Sequence, residues 1–186
     1  MIINFTKKSN SMFLIILLLT FSNPPSMTLF DFDSKEAINK WNIVNDGVMG
    51  GISKSTLEFN KDGHAFFSGT VLLENNGGFC SIRHRFAKKD VNPYQKILLR
   101  VKGDGKNYQF RVKTNATDFY SYIYTFKTNG EWETVEIPFS EMSPSFRGRK
   151  VNLPNYQGDE IEEIAFLIGN GKRESFSLEI DKIEVQ

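Results

Sequence analysis

Apolar and polar residues alternate along much of this chain, interrupted at regular intervals by glycine-bearing turns. In "YQKILLRVKGDGKNYQFRVK", Ile97, Leu99 and Val101 alternate with Lys96, Arg100 and Lys102. Beyond Gly103-Asp104-Gly105 the pattern resumes, with Tyr108, Phe110 and Val112 set against Gln109, Arg111 and Lys113. A period of two on both sides of an Asp-Gly turn predicts two half-buried strands joined as a hairpin. The pattern recurs around Asn129-Gly130, around Asn75 to Gly78 and around Gly169-Asn170-Gly171. Such a succession predicts an all-β, antiparallel sandwich or barrel, and the 17 phenylalanines suit strands.

Two local details refine this. Phe176, Leu178 and Ile180 differ in parity from Ile183 and Val185, which predicts a β-bulge near Asp181-Lys182. Only "DSKEAINKW" reads as helical, for a turn or two, with Asp33 as cap and Glu36 completing a capping box. At 186 residues, with no linker or repeat after Leu29, a single domain is expected over 27–186.

Residues 1–26 differ in kind. Lys7 and Lys8 precede an apolar run, Met12 to Phe21, followed by Ser22-Asn23-Pro24-Pro25-Ser26. This is the layout of a secretory signal, and the run falls short of the ~20 apolar residues of a spanning helix. Export, or a periplasmic location, is the favoured expectation. The alternatives are an uncleaved membrane anchor, or a cytoplasmic protein starting at Met27. Only two basic residues lie before Met27, so the remainder carries 21 basic and 22 acidic side chains. Nothing in that balance suggests a nucleic-acid partner.

"WNIVNDGVMGGISKS" (41–55) is the densest turn sequence. It matches neither glycine-rich phosphate motif, and no helix is expected after it to receive a phosphate. Asn45 and Asp46 alone supply too few hard oxygens for a calcium loop. The loop is therefore expected to form a sandwich corner, with Trp41 buried as its anchor and the Asp46 carboxylate accepting hydrogen bonds from loop N–H groups or from an arginine such as Arg83. His84 shares the parity of Cys80, Ile82 and Phe86, so it is expected as a core histidine, with Cys80 as an inert small hydrophobe. Tyr120, Tyr122 and Tyr124 line one face of one strand, and burial is favoured over an exposed sugar-stacking platform. The basic sets Arg83, Arg85, Lys88, Lys89 and "RGRK" (147–150) are expected as solvated faces, or as the site of a weak acidic partner. No catalytic constellation, metal site or cofactor motif emerges.

Taken in order, "VNDGVMGGIS" with Trp41, "FSG" (67–69), "NNGGF" (75–79), "RVKGDGKNY" (100–108), "EIPF" (136–139), "FRGR" (146–149) and "FSLEIDKI" (176–183) resemble the complex I intermediate-associated protein 30 family. The resemblance implies a galactose-binding-domain-like jelly-roll β-sandwich and a non-enzymatic role, binding or chaperoning protein partners such as respiratory-complex subunits during assembly. The positions carrying it are Trp41, Asn45, Asp46, Met49, Gly50 and Gly51, together with Asp104, Tyr108, Arg147 and Arg149. With Arg83 they form the candidate binding set. A carbohydrate-binding module using an aromatic face is the alternative, and a hydrolase or lyase ranks third.

Overall fold

A computed structural model describes residues 25–186. The apolar run and the signal expected around it lie almost entirely outside the described residues. Among the described residues, no helix is long and apolar enough to cross a membrane.

In chain order the elements are β1 (Met27–Asp31), α1 (Lys35–Ile38), β2 (Asn42–Ile43), β3 (Lys54–Phe59), β4 (Ala65–Val71), β5 (Cys80–Asp90) and β6 (Lys96–Gly103). There follow β7 (Asn107–Lys113), β8 (Ser121–Lys127), β9 (Glu133–Pro138), β10 (Ser143–Phe146), β11 (Arg149–Lys150), β12 (Glu160–Ile168) and β13 (Glu174–Val185). One sheet has the order β3-β4-β13-β6-β9, with β1 also paired to β13. The other has the order β11-β10-β8-β7-β12-β5-β2. The pairings are antiparallel throughout. The inward residues of both sheets meet in an aromatic-rich core containing Phe32, Phe67, Tyr108, Phe110 and Phe166. This is a β-sandwich of the galactose-binding-like jelly-roll type.

The alternating segments are strands, but the four expected hairpins are not hairpins. β6 and β7, on either side of Gly103-Asp104-Gly105, lie in different sheets, as do β8 and β9, β4 and β5, and β12 and β13. Each turn is an arch that carries the chain from one layer to the other. The reason is that alternation fixes only which side chains point inward. A strand returning beside its predecessor and one returning opposite it bury the same parity. True hairpins join β3 to β4, β7 to β8 and β10 to β11.

The bulge is where the parity change requires it. The register of β13 against β6 shifts between Ile180 and Lys182, so that Phe176, Leu178 and Ile180 and then Ile183 and Val185 all face the core. The helix is a single turn, as short as expected, but its N-cap is Ser34 rather than Asp33, with no side-chain cap bond. A one-residue shift at the end of a single-turn helix is within the softness of such boundaries.

Candidate functional site

The glycine loop after β2 is organised by Asp46, which is fully buried. Its Oδ1 accepts the Ser53 N–H at 2.9 Å, and its Oδ2 accepts the Ser53 hydroxyl at 2.5 Å and the Gly78 N–H at 2.7 Å. The Phe79 N–H adds a longer contact at 3.4 Å. Burial pushes this carboxyl upward, but the donors from Ser53, Gly78 and Phe79 outweigh it and hold Asp46 below its ordinary range. Arg83 is not among its partners. A Cβ on Gly51 would come within 2.3 Å of the Asp46 side chain, and one on Gly77 within 2.5 Å, so both glycines are needed for close approach. Asn45 does similar work beside it, its Oδ1 accepting from the Ser55 hydroxyl at 2.9 Å and the Ser81 N–H at 3.3 Å. Both Asp46 oxygens thus accept hydrogen bonds from the protein, three of the four falling on Oδ2.

Trp41 is buried, stacked at 5.2 Å on Phe32 and at 5.4 Å from His84. His84 is a core histidine whose Nδ1–H donates to the Lys40 carbonyl at 2.8 Å. Burial raises the Cys80 thiol to about 11, which makes it a poor nucleophile. Tyr122 and Tyr124 pack partly buried against the core, Tyr122 lying 5.2 Å from Tyr156, so the tyrosine row is not an open platform. Tyr108 and Asp104 secure the β6–β7 arch. The phenol donates to Asp104 Oδ1 at 2.8 Å and to the Ser177 carbonyl at 2.9 Å, while the Ser177 N–H donates to Asp104 Oδ2 at 3.0 Å. Arg149 is exposed on the edge strand β11.

The cavity most suited to a ligand is a groove of about 610 Å³ on the outer face of the seven-stranded sheet. Its floor comes from outward positions of neighbouring strands: Arg83 of β5, Leu167 of β12, Gln109, Arg111 and Lys113 of β7, and Ser121 of β8. The glycine loop presents Val48, 73% exposed, and Met49, 48% exposed, along one side. The other side carries Phe119, 63% exposed, and Phe146, 40% exposed, whose rings meet at 5.4 Å. Arg147 stands over Phe146 at 5.3 Å and occupies, with Gly148, a two-residue turn in which both φ angles are positive, 50° and 76°.

Of the residues singled out from the sequence, Met49, Arg83 and Arg147 line this groove. Asn45, Asp46, Gly50 and Gly51 form the loop beside it, and Trp41, Asp104, Tyr108 and Arg149 are not among its lining residues. Arg111, Lys113, Phe119 and Phe146 also line it, although none belongs to the candidate binding set. The outward parity of Arg111 and Lys113 was visible, but not that β5 and β7 both flank β12 and so bring Arg83 and Arg111 to the same face.

Residues 30–180 match the family model described as Complex I intermediate-associated protein 30. A fruit-fly protein named Complex I intermediate-associated protein 30, mitochondrial, is 25% identical over 91% of this chain and 66% of its own length. The mouse protein of that name is 29% identical over 84% of this chain and 55% of its own. The chain thus spans between about half and two thirds of these relatives. Among solved structures, a family 11 carbohydrate-binding module of a Clostridium thermocellum cellulase superposes with a TM-score of 0.63 at 20% identity, covering 88% of this chain and 95% of that one. A family 29 carbohydrate-binding module gives a TM-score of 0.51 at 11% identity, covering 87% and 91%. At these identities the likeness concerns the fold.

Proposed function

Because the chain belongs to the complex I intermediate-associated protein 30 family, we propose that it is a non-enzymatic binding domain that holds a protein partner during assembly of respiratory complex I. The observation that carries this reading is the groove. It combines cationic side chains on its floor with exposed aliphatic and aromatic side chains along its sides, the mixture expected of a protein-docking surface. His84 and Cys80 are buried in the core and face away from the groove, and His64 is not among its lining residues. A chaperone-like role follows, with the domain covering an exposed segment of a partly built complex. The mitochondrial designation of the fly and mouse relatives favours a location beside complex I over export.

A carbohydrate-binding role is the second reading, favoured by the likeness in fold to two such modules. Against it, the groove floor offers guanidinium, ammonium and amide groups, and its exposed rings, Phe119 and Phe146, meet edge to face at one side rather than forming a flat platform for a sugar ring. Depleting the protein from its source cells and resolving respiratory complexes on native gels tests the first reading. Loss of mature complex I with accumulation of subassemblies is expected. Normal complex I, together with saturable binding of the pure protein to a mixed-linked glucan, would replace it with the second.

A further inference from the structure

The floor of the groove contains an arrangement of charge that the sandwich itself does not balance. Strand β12 runs between β7 and β5, and Ala165 pairs with Arg111 on one side and with Arg83 on the other. With strands about 4.8 Å apart, the two arginine Cα atoms lie about 10 Å apart across a single alanine. Ala165 is buried although it stands on the outward face, so the side chains around it cover its methyl group. The neighbouring row, Lys113–Glu163–Arg85, has the same layout with an acid in the centre. There Glu163 binds Arg85 Nε at 2.6 Å, and the Lys113 ammonium is taken up by the carbonyls of Asp118 at 2.5 Å and Ala116 at 3.5 Å. One row is neutralised internally. The other places alanine where its neighbour places glutamate.

Arg111 donates only to the Gln109 amide oxygen, from Nε at 3.1 Å and Nη2 at 2.6 Å, and neither Arg83 nor Arg111 has a carboxylate partner among the described residues. Burial draws Arg111 down to about 10, and the Arg83 charge adds to this. Two adjacent guanidinium groups, one of them desolvated, destabilise the free domain through like-charge repulsion. An incoming anion relieves that repulsion. The planar fork of each guanidinium is suited to a carboxylate, and two arginines that flank one small residue can bridge a carboxylate between them.

We infer that Arg83 and Arg111 together clamp a carboxylate of an acidic segment of the protein partner, seated over Ala165, with apolar neighbours of that carboxylate packed against Val48 and Met49 on one side and Phe119 and Phe146 on the other. This rests on the protein-binding reading and specifies the chemistry of the partner. A neutral oligosaccharide would leave the pair uncompensated. A long polyanion is disfavoured because residues 27–186 carry slightly more acidic than basic side chains, 22 against 21.

The test is selection of random displayed dodecapeptides on the full chain, followed by titration of the enriched sequence and of its amide analogue, in which Asp or Glu is replaced by Asn or Gln. Enriched peptides are expected to carry an acid beside large apolar residues, and to lose at least about tenfold in affinity as the amide. The double variant Arg83→Gln/Arg111→Gln is expected to lose as much with the acidic peptide and to discriminate poorly between the acid and amide forms. Arg83→Lys/Arg111→Lys, which keeps the charge but not the forks, is expected to fall between. Thermal melts of both variants confirm folding. Groove-binding peptides without an acid, or an acid preference that survives the double variant, overturn the clamp and leave a protein-binding groove standing. Failure to enrich any peptide, with binding of a mixed-linked tetrasaccharide instead, overturns both.

Discussion

The carboxylate of Asp46 accepts the N–H of Gly78 at 2.7 Å, joining two loops that are 32 residues apart in the chain. One of these loops follows β2 in the seven-stranded sheet, and the other is the arch between β4 and β5 that connects the two sheets. Ser53 completes the junction, since its hydroxyl donates to Asp46 and in turn accepts the Leu72 N–H at 2.9 Å. A single buried charge therefore ties a corner of the sandwich together and sets the height of Val48 and Met49 beside the groove.

Removing that charge should loosen the corner. Asp46→Ala leaves several buried donors without an acceptor and is expected to cost about 2–4 kcal/mol, each such loss being worth roughly 1–3 kcal/mol. Urea titration checks this. A cost below about 0.5 kcal/mol, the range of ordinary surface substitutions, would mean that the junction does not hold the corner.

His84 should shape the stability of the protein in mildly acidic solution. Burial holds its imidazole below the ordinary 6.5, with the Lys40 carbonyl opposing and the charges of Lys40 and Lys89 adding to burial. The unfolded chain takes up a proton at this histidine before the folded chain does, so stability declines as pH falls below 6.5. The depressed Asp46 and Asp104 contribute fully above 3.8, and their contribution fades as pH falls from there toward their lower folded values. Melting temperature against pH should therefore fall in two stages, and His84→Phe should flatten the first. A variant that retains the decline between about pH 6.5 and 5 would exclude His84 as its source.

Arg147 sits at a φ of 50°, in the left-handed region that ordinary residues enter at a cost of roughly 1–2 kcal/mol and that asparagine tolerates. Its contact with Phe146 returns only about 0.5–1 kcal/mol at an exposed site. Arg147→Asn should thus stabilise the fold by about 0.5 kcal/mol in urea titration while weakening partner binding at the groove. A destabilised variant would show that the arginine side chain, and not the turn, dominates at this position.

The strands, the inward parity, the bulge in β13, the burial of Trp41 and the structural use of Asp46 were all legible in the sequence, because each is written in neighbouring residues. The pairing of strands was not. "GDG" at 103–105 and "NG" at 129–130 announce a reversal without saying whether the chain returns in the same layer, and here it changes layers. The groove was illegible for the same reason. Arg83 and Arg111 become neighbours only because β12, from the far end of the chain, inserts between β5 and β7 and places Ala165 beneath them. Phe119 and Phe146 likewise meet only once β8 and β10 are paired.

In the proposed division of labour the glycine loop builds the corner while the face beside it binds the partner. Affinity purification of the full chain from its source cells, comparing wild type with Arg83→Gln/Arg111→Gln and quantifying complex I subunits, tests it most directly. Recovery should fall at least about tenfold while stability falls by no more than about 0.5 kcal/mol, because removing both charges also relieves their mutual repulsion. Undiminished recovery of complex I subunits by the double variant would contradict it.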